Sequence, residues 1–484
     1  MSKEERLVKQ ITQKSTDFSK WYTEIIRKAE LADYAPMKGM MVIRPYGYAV
    51  WENIQSLMDA RIKETGHKNA YFPLFVPESL LEKEASHLEG FAPEVAWVTH
   101  GGQEELEEKL AVRPTSEAII GSMFSKWIKS WRDLPVLVNQ WANIVRWEKV
   151  TRPFLRTTEF LWQEGHTVHE SREQAEEETL KILDLYKTFV EDELAVPVLA
   201  GRKSEKEKFA GALETYAIEG LMSDGKSLQM GTSHHLGQNF SKVFNIRFED
   251  REQKLQYAWQ TSWGVSTRLV GAVIMCHGDD SGLRFPPKIA PIQIVIIPIS
   301  IGDWKKEILP VAEEVERKLK ASGLRVELDE REEVTPGWKF SDWEMRGVPL
   351  RLEIGPRDVR ARQAVLVRRD TGEKNTVALE SLAEKIHIFL ENIQKNLFTK
   401  ALEFQRRNTH TVSSPRDFKK MIEEQRGFIK AGWCGSRDCE EKIKEETMAT
   451  IRVILDKDSE DFSPGQCLSC GKAANEVVVF ARAY

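Results

Sequence analysis

The sequence contains no long hydrophobic run. Its longest apolar stretch, residues 291–301, has the length of a strand, whereas a membrane-spanning helix needs about 18 or more apolar residues. The N-terminal residues, MSKEERLVKQITQKS, contain no apolar segment of the kind found in secretory signal peptides. The sequence therefore predicts a protein without a membrane span, and we expect it to be cytoplasmic.

Basic residues are not in excess either. The chain has 70 Lys and Arg residues against 75 Asp and Glu residues, for a formal net charge of −5. This balance excludes a protein that binds nucleic acid through overall positive charge, but it allows local basic patches, which matter more than the total. The sequence also contains no internal repeat, no low-complexity tract and nothing that resembles a Ser-His-Asp or cysteine-based nucleophile.

Cysteine is scarce, with five residues in the chain. Four of them form two local pairs near the C-terminus, Cys434 with Cys439 and Cys467 with Cys470. Two such pairs can supply four thiolates to a tetrahedral, closed and therefore structural Zn²⁺ site. The alternative is two unpaired or redox-active pairs. Cys276 stands apart in an apolar helix, where we expect a small buried side chain.

With 484 residues, the chain is too long for one hydrophobic core, and we expect three domains. Residues 1–290 mix strands, helices and hairpins, which predicts an α+β domain with an antiparallel sheet. Within it, the charged run from Glu104 to Lys109 predicts an exposed helix or loop. Residues 291–396 alternate strands and helices, which predicts a compact, doubly wound α/β domain. Residues 397–484 begin with a basic helical connector, residues 398–430, and end in a small cysteine-bearing α/β domain.

The most informative stretch is a predicted hairpin around Arg146. Its first strand, Leu134 to Ile144, alternates apolar residues, and Arg146 and Glu148 then lie on one side of an extended backbone. Pro153 excludes a regular central strand at the turn, and Phe160 to Trp162 forms the returning strand. Three arginines lie at the mouth of this hairpin: Arg146, Arg152 and Arg156. Arginine suits phosphates and carboxylates because its planar fork donates in pairs, although a solvated edge hairpin with surface ion pairs would show the same residues.

Three features occur in order along the first domain. A helix over residues 49–66 leads into a strand that contains Pro73, the arginine hairpin follows, and a glycine-led strand-to-helix turn ends at Arg268. This order resembles the three signature motifs of class II aminoacyl-tRNA synthetases. In its single motifs the chain resembles prolyl-tRNA synthetases, in particular their archaeal and eukaryotic-type branch, over essentially its whole length. The motifs that carry this resemblance are TSE at 115–117, RWE at 146–148, FLRTTEFLWQEGHT at 154–167, QMGTSHHLGQNF at 229–240 and SWGVSTR at 262–268.

The resemblance implies an enzyme that uses ATP with Mg²⁺ to activate L-proline as the adenylate and then transfers proline to the 3′ end of tRNA(Pro). Joining a carboxylate to a phosphate brings two anions together, so cations must neutralise both and hold them in line. By the resemblance, the catalytic residues are Arg146, at the α-phosphate and the amino-acid carboxylate, and Arg268, at the γ-phosphate of a bent ATP. The other ATP-binding residues that it implies are Glu148 at the adenine amino group, Arg156 at the β- or γ-phosphate, Thr157, and Gln229 and Thr232 near the nucleotide and its Mg²⁺.

The resemblance also implies a pocket for proline beside Arg146. The imino group of proline is cationic and needs acceptors, which Thr115 and Glu117 would supply. Four further residues would wall or support the ring: Trp162, Glu164, His166 and His234. From the residues alone, a hydrogen-bonded core histidine is the alternative for His166, and core packing is the alternative for Trp162.

Other parts of the chain match the same family. The segment GVPLRLEIGPRD at 347–358 matches its anticodon-binding domain, which reads the guanines of a GG-containing anticodon, and the cysteine spacing matches its zinc site. The helix–strand element over residues 49–77 matches the class II motif that builds a two-fold interface, which predicts a homodimer. Bacterial-type relatives insert a hydrolytic editing domain between the second and third motifs. Here only about 60 residues separate His169 from Gln229, so we expect no cis-editing domain.

Two alternatives stay open at this point. A sister class II synthetase for another small amino acid would share the ATP residues, but Thr115, Glu117 and the HHLGQNF run argue against it. An inactive synthetase-like protein that binds RNA or regulates should have lost at least one of Arg146, Glu148 and Arg268, and all three are present.

Overall fold

The computed structural model describes residues 11–85, 94–424, 426–457 and 465–484. Residues 1–10, which carry most of the segment without a signal-peptide pattern, lie outside these ranges. Across the described ranges, no helix is long and apolar enough to cross a membrane.

Two amphipathic helices open the described chain. Helix α1 (Phe18–Lys28) begins at an N-cap, where the side chain of Asp17 accepts a hydrogen bond from the backbone of Lys20. Helix α2 (Pro45–Glu64) begins with a proline, whose missing N–H costs nothing in the first turn. Their buried faces, which recur at helical spacing, consist of Trp21, Tyr22, Ile25 and Ile26 in α1 and Val50, Ile54, Met58 and Ile62 in α2.

A small sheet of β4, β5 and β6 follows these helices. Besides α1 and α2, the chain up to Val112 contains β1 (Ala32–Tyr34), β2 (Met41–Ile43), β3 (Lys68–Asn69), β4 (Phe75–Pro77), α3 (Glu78–Ala85), β5 (Trp97–Gly101) and β6 (Glu104–Val112). The charged run from Glu104 to Lys109 is exposed, as predicted, but it belongs to strand β6 rather than to a helix or loop. Strand β6 pairs with β5 and, at residues 110–112, also with β4. This pairing outweighs the low strand propensity of glutamate and lysine, whose side chains stay in water.

The main sheet is built from the next part of the chain. Its strands and the surrounding elements are α4 (Glu117–Trp127), β7 (Val136–Val145), β8 (Glu159–His169), α5 (Arg172–Leu194), β9 (Val198–Arg202), β10 (Glu214–Leu221), β11 (Ser227–Gly237), α6 (Asn239–Phe244), β12 (Arg247–Glu249), β13 (Leu255–Tyr257), β14 (Trp259–Ser266) and α7 (Arg268–His277). The predicted hairpin is confirmed as β7 and β8, which pair from Val136 opposite Val168 to Val145 opposite Glu159. Strand β14 lies between β8 and β11 and is antiparallel to both, as expected for the α+β domain.

An α/β unit follows the main sheet. It consists of β15 (Ile294–Pro298), α8 (Trp304–Glu307), α9 (Leu309–Ala321), β16 (Val326–Leu328), α10 (Pro336–Met345), β17 (Leu350–Ile354), α11 (Pro356–Ala361), β18 (Gln363–Arg368), β19 (Lys374–Ala378) and α12 (Leu382–Arg407). The predicted α/β fold is confirmed, but the doubly wound arrangement holds only for the parallel strands β16, β15 and β17. Strands β18 and β19 are antiparallel, because only residues 369–373 join them and no crossover helix fits there.

The last elements are β20 (Thr409–Thr411), α13 (Pro415–Glu424), β21 (Phe428–Trp433), α14 (Arg437–Thr447), β22 (Thr450–Ile454) and β23 (Glu476–Ala481). The helical connector predicted over residues 398–430 was only partly right. Helix α12 crosses the domain limit predicted at residue 396 and ends at Arg407, and the rest of the segment contains two strands besides α13. The short strand β20 is parallel to β21, which fixes this segment against the C-terminal sheet.

The C-terminal strands join the main sheet. Among the described residues, eleven strands form one sheet in the order β20-β21-β23-β22-β9-β10-β11-β14-β8-β7-β3. The junction is the pairing of Ile454 in β22 with Arg202 in β9. The cysteine-bearing region is therefore continuous with the sheet of the first domain, which the change of pattern along the sequence did not indicate.

Candidate active site

A cavity of about 370 Å³ lies on one face of the main sheet, where β11, β14 and β8 run side by side. Alternate residues of a strand point to the same face, so Trp162, Glu164 and His166 all reach it from β8. The structure brings all thirteen predicted proline- and ATP-binding residues to this cavity: Thr115, Glu117, Arg146, Glu148, Arg156, Thr157, Trp162, Glu164, His166, Gln229, Thr232, His234 and Arg268. Arg152, the third arginine of the predicted hairpin mouth, instead donates to the hydroxyl of Ser19 at 2.7 Å.

Arg146 directly follows β7. Its Nε donates to the carbonyl oxygen of Pro114 at 3.0 Å, and its backbone N–H donates to the carbonyl oxygen of Thr158 at 2.8 Å. The guanidinium carbon lies 5.8 Å from the ring centre of Phe160 and 5.6 Å from that of Trp162. One backbone carbonyl and two aromatic rings thus hold the side chain at the cavity wall, and the bond to Thr158 fixes the backbone.

The charge of Arg146 is balanced by carboxylates around the cavity. Burial lowers the pKa of Arg146, and the negative charges of Glu117, Glu148 and Glu164 oppose that effect. The Nη1 atom of Arg156 lies 3.8 Å from a carboxylate oxygen of Glu148, so a second arginine shares one of these partners. Arg146 therefore interacts electrostatically with acidic groups on both the predicted proline side and the predicted ATP side.

Arg268 is the first residue of α7, directly after the turn that ends β14. Its Nε donates to the carbonyl oxygen of Leu155 at 3.2 Å, and its Nη1 donates to the carbonyl oxygen of Gln229 at 3.1 Å. Burial and the positive charge of Arg156 lower the pKa of Arg268 to about 10, while the carboxylate of Glu219 acts in the opposite direction. The group is still a cation at neutral pH, and it stands among like charges that an anionic ligand would neutralise.

Glu164 and His166 form a buried ion pair, with 3.0 Å between Oε2 and Nε2. Burial alone would raise the pKa of Glu164, but the hydrogen bond and charge of His166 lower it. Burial likewise opposes protonation of His166, and the hydrogen bond and charge of Glu164 raise its pKa above the usual value. Ser116 and Gln140 donate to the other oxygen of Glu164, at 2.5 and 2.7 Å, so the carboxylate is fully occupied. Its position supports the pocket wall rather than offering a free acceptor.

Thr115 and Glu117 lie where α4 begins, and both are almost fully buried. Their side chains are joined by a hydrogen bond from the threonine hydroxyl to the carboxylate. Two other polar atoms in the cavity wall, Nε1 of Trp162 and Oγ of Ser262, are buried and contact no hydrogen-bond partner within the described residues. Buried polar atoms are normally satisfied, so these two favour a site that is completed by a polar ligand.

Three residues of the cavity wall lie outside the motifs that predicted the site: Glu207 and Phe209, in the loop between β9 and β10, and Thr215 in β10. The ring of Phe209 lies 4.7 Å from that of His234. Its backbone N–H donates to the hydroxyl of Thr215, which in turn lies 3.0 Å from Nδ1 of His234. Burial lowers the pKa of His234 to about 3, so this nitrogen is free to accept the hydroxyl proton. A single aromatic in a charged loop gives no sequence signal of this role.

The four cysteine sulfurs converge at the far end of the long sheet. All four lie within 4.8 Å of one another, with 3.7 Å between Cys434 and Cys439 and 3.9 Å between Cys434 and Cys470. A tetrahedral Zn²⁺ with Zn–S bonds of about 2.3 Å requires S–S separations of about 3.8 Å. The four thiols, including Cys467, therefore fit a zinc ion closely. No other group of this kind is found in the described part of the chain.

A second cavity of about 370 Å³ lies between the α/β unit and the end of α7. Glu344, Arg351 and Lys374 line it from the α/β unit, and Asp279 lines it from the catalytic side. Arg369 binds the carboxylate of Asp279 through two bonds of 2.6 and 3.2 Å. Asp279 follows the end of α7 at His277.

Two aromatic residues of α10, Phe340 and Trp343, lie beside this cavity. Trp343 is 9% exposed, and its Nε1 donates to the carboxylate of Asp329 at 2.7 Å. The guanidinium carbon of Arg351 lies 4.2 Å from the ring centre of Phe340, which holds the arginine against the α/β unit. Trp343 is therefore part of the packed interior of this unit.

Comparisons with known proteins agree with this arrangement. The family profile described as "tRNA synthetase class II core domain (G, H, P, S and T)" matches residues 97–277, and the profile described as "Anticodon binding domain" matches residues 293–387. Residues 415–484 match "Prolyl-tRNA synthetase, C-terminal". The antiparallel sheet, the arginines of its cavity and the first of these matches define a class II aminoacyl-tRNA synthetase.

Full-length relatives narrow this class. The chain is 60% identical to the proline–tRNA ligase of Natranaerobius thermophilus and 55% identical to proline–tRNA ligase 2 of Clostridioides difficile, in each case over 99% of both chains. It also superimposes on the crystal structure of prolyl-tRNA synthetase from Cryptosporidium parvum, complexed with halofuginone and AMPPNP. The TM-score is 0.95 and the identity 44%, over 99% of this chain and 100% of that one. The chain belongs to the prolyl-tRNA synthetase family.

Proposed function

We propose that this protein activates L-proline with ATP and transfers it to tRNA(Pro). The observation that carries the proposal is the position of Arg146. Its charge interacts with Glu117 and Glu164 on one side and with Glu148 on the other. A guanidinium in that position can bind a carboxylate and a phosphate at the same time, which is what adenylate formation requires.

Activation forms a bond between a proline carboxylate oxygen and the α-phosphorus, and pyrophosphate leaves with the electron pair. In our proposal Arg146 holds the carboxylate and the α-phosphate together, and Arg268 and Arg156 bind the phosphates that leave. Mg²⁺ would accept oxygens of these phosphates and neutralise part of their charge, with Gln229 and Thr232 nearby. Negative charge moves from the α-phosphate to pyrophosphate in the transition state, so arginines along this line stabilise the transition state more than the ground state.

Proline would be oriented by its two charged ends. Arg146 binds the carboxylate, and the pair formed by Thr115 and Glu117 accepts the hydrogens of the cationic imino group. Trp162 and Phe209 bound the ring with apolar surface. His166 is already paired with Glu164, so it fixes the shape of the pocket rather than competing for the ligand.

The first prediction concerns the two arginines. Replacement of Arg146 or Arg268 by Ala should lower proline-dependent ATP–pyrophosphate exchange by several kcal/mol of transition-state stabilisation, on the order of 10²-fold or more. Arg146→Lys should recover only part of the loss, because lysine keeps the charge but not the paired donors. Arg152→Ala is the matched control. This hairpin arginine donates to Ser19, so the variant should retain exchange. Near-normal exchange in both alanine variants would refute the assignment.

The same assay separates the alternatives left open by the sequence. Exchange measured over a panel of amino acids should be strongest with proline. A greater rate with another small amino acid would identify a sister synthetase, and no exchange with any amino acid would identify an inactive relative.

We also propose that Cys434, Cys439, Cys467 and Cys470 bind one structural Zn²⁺ per chain, because their sulfur separations match a tetrahedral site. Metal analysis of protein purified without chelator should find about one zinc per chain. The double replacement of Cys467 and Cys470 by Ser should remove it and lower the unfolding temperature, because zinc binding stabilises the folded state. Cys276→Ser should keep the metal. Zinc-free wild-type protein would contradict the proposal.

The second cavity is proposed to read the guanines of the proline anticodon. Guanine presents N–H donors on its Watson–Crick edge, and these suit the carboxylate of Glu344. The O6 and N7 atoms of guanine are acceptors, and these suit Arg351 and Lys374. Replacement of Arg351 by Ala should reduce charging of tRNA(Pro) by about 1–3 kcal/mol in kcat/KM and leave proline-dependent exchange unchanged. The control is Arg357→Ala, an exposed arginine of the same segment that is not among the described lining residues. Equal losses of charging in the two variants would show that this cavity does not take part in anticodon recognition.

We further propose a homodimer built on the element from α2 to β4. Large apolar side chains are exposed in this region, with Tyr71 at 76% and Phe75 at 45%, and such patches mark interfaces. Light scattering should give roughly twice 55.6 kDa. Replacing Tyr71 and Phe75 together by Asp should shift the protein to a monomer, whereas Leu255→Asp, on a different exposed hairpin, should not. A stable and active wild-type monomer would rule the proposal out.

The last proposal concerns fidelity. Alanine is smaller than proline, and the missing methylenes are worth only about 1–3 kcal/mol of discrimination, so the enzyme should activate alanine measurably. Residues 170–228 form α5, β9, β10 and the start of β11, which belong to the main sheet and its covering helix and support the absence of an editing domain. Purified enzyme should therefore leave preformed Ala-tRNA(Pro) intact. Deacylation well above the spontaneous rate would show an editing site in this chain.

A further inference from the structure

A buried ionic cluster joins the C-terminal strands to the catalytic sheet. Glu219 in β10 is 0% exposed and receives three charged or hydroxyl donors. Lys203 donates to Oε1 at 2.7 Å, and Ser227 donates to Oε2 at 2.5 Å. Arg452, from β22, binds both oxygens, with Nη2 at 2.8 Å from Oε1 and Nε at 3.3 Å from Oε2. The backbone carbonyl of Arg452 also accepts from Lys203 at 2.7 Å, so three hydrogen bonds join the two segments.

This cluster lies directly beside the ATP-binding edge of the cavity. Glu219 is paired with Gln229 across β10 and β11, and opposed residues on neighbouring strands point to the same face. Ser227, which binds Glu219, is two residues before Gln229 and therefore also points to that face. The carbonyl oxygen of Gln229 accepts a hydrogen bond from Nη1 of Arg268. Arg452 is thus linked to Arg268, the arginine proposed to bind the γ-phosphate, through Glu219 and its strand partner Gln229.

The charge of Glu219 reaches Arg268. Glu219 acts to hold the proton on Arg268, and Arg452 acts against it, so both groups lie within electrostatic range of that guanidinium. Burial would raise the pKa of Glu219, and the charges of Lys203 and Arg452 lower it. Glu219 is therefore a buried carboxylate whose charge must be taken up by neighbours. If Arg452 were absent, more of that charge would act on Arg268, which would then be a weaker partner for phosphate.

We propose that Arg452 is a positioning residue for the ATP site. It neutralises Glu219, so that Arg268 is held by the backbone carbonyls of Gln229 and Leu155 and its charge is directed to the nucleotide phosphates. The C-terminal region thus supplies a functional part of the ATP site in addition to its cysteine cluster. This inference rests on the proposed function of the cavity as an ATP site.

The test compares Arg452→Met with Arg452→Lys and with Arg202→Met. Arg202 is the matched control, because it forms an ion pair with Glu476 across the same junction, at 3.4 Å, but is 35% exposed. Arg452→Met should raise the dissociation constant for AMPPNP, measured by calorimetry, and the KM for ATP in exchange by about tenfold. The KM for proline should change less than twofold. Arg452→Lys should fall between Met and wild type, and Arg202→Met should match wild type.

A double variant separates positioning from structural damage. The variant that combines Glu219→Gln with Arg452→Met loses one negative and one positive charge, so the net charge of the cluster is unchanged. AMPPNP affinity should therefore return to within about threefold of wild type, whereas simple destabilisation would make the two changes add. Unchanged nucleotide affinity in Arg452→Met, or additive losses in the double variant, would overturn the inference. If wild-type protein bound AMPPNP but gave no exchange, the proposed function would fail, while the effect of Arg452 on nucleotide binding would still be measurable.

Discussion

Mutual repulsion among the arginines of one cavity is the constraint on which the rest of this structure depends. Arg146, Arg156 and Arg268 line one cavity, and like charges repel more strongly as water is excluded. The backbone carbonyls of Pro114, Leu155 and Gln229 and the carboxylates of Glu117, Glu148 and Glu219 offset this repulsion. Under the proposed function, these acceptors hold the arginines in place before the phosphates of ATP bind, and such preorganisation is a main source of electrostatic catalysis.

Two of these acceptors, Glu219 and Gln229, belong to the main sheet, whereas Pro114, Glu148 and Leu155 lie in the loops around it and Glu117 begins α4. The cavity side chains come from segments more than a hundred positions apart, and the pairing of β8, β14 and β11 fixes their relative heights. Gly165 shows how tight this arrangement is, since a Cβ at that position would lie 2.1 Å from the indole ring of Trp263. Only glycine lets β8 pass over that ring, and Trp263 then fills the space beneath the proposed proline pocket.

Much of the site was predicted through the family resemblance, whose motifs contain Trp162, Glu164 and His166. The alternation of side chains along β8 explains why all three line the cavity. Phe209 could not be found in this way, since a loop without periodicity brings it to the ring of His234. The charged strand β6 was missed because glutamate and lysine have low strand propensity, which the pairing with β5 and β4 outweighs. The pairing of β22 with β9 was missed because no local pattern encodes a partner so far along the chain.

The junction between β9 and β22 has a consequence for how the chain is made. Arg202 and Ile454 are about 250 positions apart, so during synthesis the edge of β9 emerges long before its partner exists. An unpaired strand edge is a template for contact with other chains, and folding intermediates that expose one are prone to aggregate. The edge of β9 therefore stays unpaired while the whole α/β unit is being synthesised. Slow synthesis of the full chain would lengthen the time for which the edge of β9 is exposed. In products truncated before β22, this edge would stay exposed.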